Sequence, residues 1–146
     1  MSDSDLVNLY SGRILALAAD IPHLGRLAAP TGTARKRSPL CGSTVTVDVV
    51  MQAGRIVGFG QDVKACALGQ AAASVLGGAV IGRSLVELDL ARMQLHAMLK
   101  DAAAVPDAPF DGFEVLIPAR DFKNRHASIM LAIEAVCEAA KQSQPV

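Results

Sequence analysis

The chain has no tryptophan, one tyrosine and four phenylalanines among its 146 residues. A core made without large rings must be filled by many small contacts, and alanine, valine and leucine supply them here. Neither sign of charge is in excess, since 14 basic side chains stand against 14 acidic ones. That balance removes the bulk attraction that would hold nucleic acid or an anionic membrane. The one basic cluster, Arg35-Lys36-Arg37, is too short to replace it and reads as a solvated loop. No basic region followed by an apolar run opens the chain, so no secretory signal is visible. The most apolar stretch, 65–81, is interrupted by Gln70, Ser74 and several glycines, and falls short of the roughly 20 residues a span needs. It reads as a buried helix, not a membrane anchor. An odd number of cysteines, three, points to reduced thiols in the cytoplasm instead of a disulfide framework.

What is present fits a single globular domain over 1–146, with 51% apolar and 19% charged residues. A first helix is expected over 4–18, with Ser4 as N-cap and Leu6, Tyr10, Ile14 and Leu17 on one face. From Leu24 to Leu40, proline and glycine interrupt a basic stretch, which reads as loop with room for one short edge strand. In Thr44-Val-Thr-Val-Asp-Val-Val-Met51 the apolar residues alternate with polar ones, the mark of a half-buried strand. Gln52-Ala-Gly-Arg55 is a turn and Ile56–Val63 the returning strand, which makes a hairpin. A second helix starts near Cys66 and is expected to stop at Gly77-Gly78. Ser84-Leu-Val-Glu87 fits a capping box opening a third helix, with Leu88, Leu95 and Leu99 on one side. An irregular connection over 105–120 leads to a last helix, capped by Asp121 or Asn124 and ending near Lys141. This order favours an α+β fold, a small antiparallel sheet of about three strands with helices packed on one face.

Two cysteines converge. Cys41 precedes the first strand of the hairpin and Cys66 follows the second. The midpoint of positions 41 and 66 falls between Ala53 and Gly54, the centre of the turn. Regular antiparallel pairing would set their Cα atoms about 4.5–5.5 Å apart. Two thiols there could be small core hydrophobes, a disulfide that a reducing compartment disfavours, or two ligands of a metal or iron–sulfur site. Spacing alone does not separate the first from the third. Cys66 also stands at a helix start, where unsatisfied N–H groups favour negative charge on sulfur. Cys137 falls on the stripe Met130, Ile133, Cys137, Ala140 and reads as core. His126 lies on that face near the helix start, but about 16 Å of helical rise separates it from Cys137, so the two cannot share an ion. Taken alone, a single histidine there is more often a surface or capping residue. No Ser–His–Asp arrangement, phosphate-binding glycine loop or carboxylate pair is visible, because Gly77, Gly78 and Gly82 follow a helix instead of opening one. An enzyme is therefore not expected.

The segments Pro39-Leu-Cys-Gly-Ser43, Cys66-Ala-Leu-Gly-Gln-Ala-Ala-Ala-Ser74 and Gly82-Arg-Ser-Leu-Val-Glu87 resemble the IscU/SufU/NifU-type iron–sulfur cluster scaffold family. Leu9-Tyr10, Pro118-Ala-Arg120 and Arg125-His-Ala-Ser128 fit the same resemblance, which spans nearly the whole chain. It implies an α+β scaffold that takes sulfur from a cysteine desulfurase, collects iron, builds a labile [2Fe–2S] cluster and passes it to apo acceptor proteins. Some members hold zinc at the same site. The resemblance makes Cys41 and Cys66 two metal ligands and His126 a third. Two positions depart from the family pattern: Ser43 stands where the family has aspartate, and Ala127 where it has a third cysteine. A cluster usually takes four protein ligands. The expected remedies are a homodimer or a partner protein completing the shell, or a change of role to a zinc-bound or metal-free homologue that acts as a regulatory partner.

Overall fold

The computed structural model describes residues 10–39 and 42–143. Its elements are α1 (Gly12–Ala19), β1 (Gly32–Arg37), β2 (Thr44–Gln52), β3 (Arg55–Lys64), α2 (Ala67–Ala79), α3 (Leu85–Lys100), two 3₁₀ segments (Asp111–Asp121 and Lys123–Arg125) and α4 (His126–Ser143). The strands form one antiparallel sheet in the order β1-β2-β3. The α+β expectation holds, and the stretch that allowed for one edge strand supplies β1.

Alternation explains the sheet. Val45, Val47 and Val49 are fully buried against the helices, and Ile56 and Phe59 join them from β3. Ala53 and Gly54 both have positive φ, 52° and 77°, the pattern of a tight hairpin turn that follows the twist of the strands. A bulge between Val50 and Met51 shifts the register by one. Near the turn Gln52 faces Arg55, and past the bulge Thr44 faces Lys64. The same register carried onward would set Cys66 against position 42, not 41. Both ends of the hairpin still open on one side.

The central element is α4. It lies on β1 and β2, and α2 and α3 pack beside it. Ile129, Ala132, Ile133, Ala135, Val136, Ala139 and Ala140 on this helix are all buried. Close approach depends on small residues: a Cβ on Gly32 of β1 would overlap the Ala139 carbonyl oxygen. Small side chains at Ala71, Ala72 and Ala73 likewise let α2 sit between α1 and α4.

Two boundaries differ from the sequence expectation, and a third falls partly beyond what is described. The start of the first helix at Ser4 and the position of Leu6 lie outside the described residues; within them, Ser11 caps Gly12–Ala19. Gly77 and Gly78 are inside α2, not at its end. A Cβ on Gly77 would stand 2.9 Å from Gln61 Nε2 and 3.1 Å from the Pro22 oxygen, so the glycine serves packing, not termination. The last helix does not begin on an Asp121 or Asn124 cap. The chain enters it through 3₁₀ turns, and the His126 N–H donates to the Lys123 carbonyl. The Ser84–Glu87 capping box of α3 is present as expected, with both of its hydrogen bonds.

Residues 23–25 pair with the edge of β3 at Gln61, and the chain then crosses the other face of the sheet at Arg26 and Leu27. Asp48, which points to that face, accepts from Arg26 Nε at 2.6 Å, the Leu27 N–H at 3.0 Å and Thr33 Oγ1 at 2.6 Å. Leu27 then lies over Gly58 and Gly60. No helix among the described residues is long and apolar enough to cross a membrane.

Candidate functional site

The open end of the hairpin meets the N-termini of α2 and α4. Cys66 is the N-cap of α2, in extended conformation, half-buried, with no side-chain cap hydrogen bond. Across from it, the loop before β2 is closed by backbone bonds: the Ser38 N–H donates to the Ser43 carbonyl at 2.8 Å and the Gly42 N–H to the Ser38 carbonyl at 3.0 Å. Gly42 has a φ of 71°, a conformation that favours glycine. Cys41 itself lies outside the described residues.

Ser43 is 4% exposed, and its hydroxyl accepts from Ser128 Oγ at 3.2 Å. Ser128, in the first turn of α4, also stands 3.5 Å from the Cys66 sulfur. Three elements far apart in sequence thus meet through side chains at Ser43, Cys66 and Ser128. Sequence reasoning named Ser128 only within the Arg125-His-Ala-Ser128 resemblance and gave it no role at the site. The sequence signal was only its position two residues after His126; its closeness to Gly69 of α2 is tertiary.

His126 is 2% exposed and is not a surface residue. Its Nε2 donates to the carbonyl oxygens of Ala119 at 2.9 Å and Arg120 at 3.1 Å. Those bonds fix the tautomer and leave the lone pair on Nδ1, which is buried and has no partner among the described residues. Burial is the main reason the ring ionises below the ordinary histidine range. Such a ring, held through its other nitrogen by backbone carbonyls, has the form of a metal-binding imidazole. Among the described residues, which leave out Cys41, no group of three or more His, Cys, Asp or Glu is placed to hold a metal. Ala127, beside His126, carries no donor.

Cys137 is apart from this site. It is buried at 3% exposure between Glu134, Glu138 and Lys141, and burial pushes its thiol up to about 11. The sequence reading of a core cysteine holds.

A NifU-like N-terminal protein from Brucella abortus is 41% identical to this chain, with alignment over 94% of this chain and 96% of that one and a TM-score of 0.92. The chain belongs to the NifU-like family. Two further solved structures share its fold. One is a candidate iron–sulfur cluster assembly scaffold of the SUF system from Fervidobacterium islandicum AW-1, at 17% identity, 92% and 98% coverage and a TM-score of 0.81. The other, described only as a hypothetical protein, is 23% identical over 92% of this chain and 98% of its own, with a TM-score of 0.75. No family model and no curated protein sequence matches the chain. Among the described residues, Ser43, Cys66 and Ser128 meet where α2 and α4 begin, and His126 opens α4.

Proposed function

We propose that the protein is a non-enzymatic scaffold on which iron and sulfur are assembled into a labile cluster and from which the cluster passes to acceptor proteins. The observation that carries this reading is the 41% identity to a NifU-like protein over 94% of the chain. The half-buried thiol of Cys66 at the head of α2 supports it. Iron and sulfur are the substrates, a cysteine desulfurase supplies the sulfur as a persulfide that a separate two-electron donor reduces to sulfide, and Cys41 and Cys66 are the thiolate ligands. His126 is a third ligand through Nδ1, the nitrogen its carbonyl bonds leave free. Three ligands are one short of a usual cluster shell, so a second copy or a partner supplies the fourth.

Anaerobic reconstitution with ferrous iron and sulfide, followed by visible absorption and acid-labile sulfide, tests the scaffold. The wild type is expected to show sulfur-to-iron charge-transfer bands that Cys66→Ala and Cys41→Ala lose. Equal spectra for wild type and Cys66→Ala would sink the reading.

Ser43 and Ala127 favour a second reading, in which the site holds zinc or no metal and the protein acts as a binding partner. Two thiolates, one imidazole and a water suit tetrahedral zinc better than a cluster. Metal analysis of protein purified without oxygen separates the two: stoichiometric zinc without labile sulfide supports this one. Co-purification with a cysteine desulfurase tests the proposed donor partner under either reading.

A further inference from the structure

Ser128 is 1% exposed, and its hydroxyl meets the Ser43 oxygen and the Cys66 sulfur. Room for that hydroxyl comes from a residue on α2. Gly69 lies three positions after Cys66, on the same helical face. A Cβ there would stand 2.7 Å from Ser128 Oγ and 3.2 Å from the Ser128 carbonyl oxygen. Glycine inside a helix is costly relative to alanine. Here its missing side chain is replaced by a hydroxyl from another helix, beside the one half-exposed thiol of the described residues.

We propose that Ser128 is a positioning residue for Cys66, its hydroxyl seated in the gap at Gly69 so that the first turn of α4 fixes the direction of the Cys66 sulfur. Because Ser128 donates to Ser43, its oxygen is free to accept the Cys66 S–H. A hydroxyl both donates and accepts. Towards a thiol, which donates, the hydroxyl accepts while its one hydrogen stays on Ser43; towards a metal-bound sulfur, which only accepts, that hydrogen must turn from Ser43 to Cys66. Through Ser43 the contact ties the aim of Cys66 to the loop before β2, and it supplies an outer-shell partner in a site where Ala127 contributes nothing. The role rests on the metal-site reading given above.

Two measurements test it. Infrared spectroscopy of the reduced, metal-free protein reads the S–H stretch of Cys66, identified by its loss in Cys66→Ala. Ser128→Ala is expected to move this band to higher frequency, as a released S–H should, while the Cys137 band stays in place. Gly69→Ala, which removes no polar group, is expected to move it the same way by filling the space of the hydroxyl. A Cys66 band unmoved in both variants overturns the proposal. Cobalt(II) titration, read by sulfur-to-metal charge transfer, is expected to show about tenfold weaker binding in both variants, the usual size of an outer-shell loss. Unchanged cobalt affinity with a shifted band overturns the positioning role. No cobalt on the wild type sinks the metal-site reading itself and the role with it, and the infrared result then reports the hydrogen bond alone.

Discussion

The Asp48 carboxylate, wholly buried on β2, receives Arg26 Nε at 2.6 Å, and this pair pins Arg26 and Leu27 to the outer face of the sheet. The Arg26 guanidinium is the largest reason the carboxyl is held down to about 2, with Thr33 and the Leu27 N–H adding to it. A carboxyl with a lowered pKa in the folded state stabilises fully above its unfolded value near 3.9 and loses that contribution as pH falls towards 2. The expected size is about 2 kcal/mol. Urea midpoints for wild type and Asp48→Asn should differ at pH 7 and converge as the pH is taken down to about 2. A gap that stays constant over that range refutes the linkage.

Burial of His126 acts at a higher pH. The folded state holds the ring neutral, so protons bind the unfolded chain first. Stability should be fully present above about 6.5 and decline as pH falls below it. His126→Gln should remove this decline, at a cost of roughly 1–3 kcal/mol at pH 8 from the carbonyls of Ala119 and Arg120 losing their donor. Denaturant melts at pH 8 and pH 5 check both statements.

Close approach of β1 to α4 gives a third expectation. Gly32→Ala drives a methyl into the Ala139 carbonyl, and the two backbones must separate. A loss of about 2 kcal/mol, within the range for overpacking, should appear as a lower thermal midpoint. Gly78→Ala, in an open position of α2, is the control and should cost nothing or stabilise slightly.

The described thiols should differ in reactivity. Cys137 is buried, and its thiol titrates near 11, so little of it is ionised at neutral pH. Iodoacetamide followed by peptide mass spectrometry should label Cys66 in the native protein and reach Cys137 only after denaturation. Equal labelling of both in the native state contradicts the packing of α4.

The sheet and the third helix were legible because their signals are local. Val45, Val47 and Val49 alternate, Ala53-Gly54 turns the chain, and Ser84 with Glu87 closes a cap. Gly77 misled because its reason is tertiary: the Gln61 side chain and the Pro22 carbonyl pass where its Cβ would be. His126 was legible as a residue of interest but not as a buried one, since its burial depends on carbonyls of the Asp111–Asp121 segment, a 3₁₀ stretch running through Pro118 that periodicity does not mark. Cys66 could be placed at a helix head from sequence. Ser128 could not, because its meaning lies in a gap on another helix.

The bulge between Val50 and Met51 acts as a phase shifter. It lets Ile56 and Phe59, three positions apart on one strand, both face inward, where strict alternation would send one of them out. Every residue of the hairpin's open end is counted from that slip. Val57 is the unpaired residue of that slip, so deleting it would leave one continuous register in which Ile56 and Phe59 face inward by plain alternation and Thr44 still meets Lys64: the open end would keep its address and only the local kink would go.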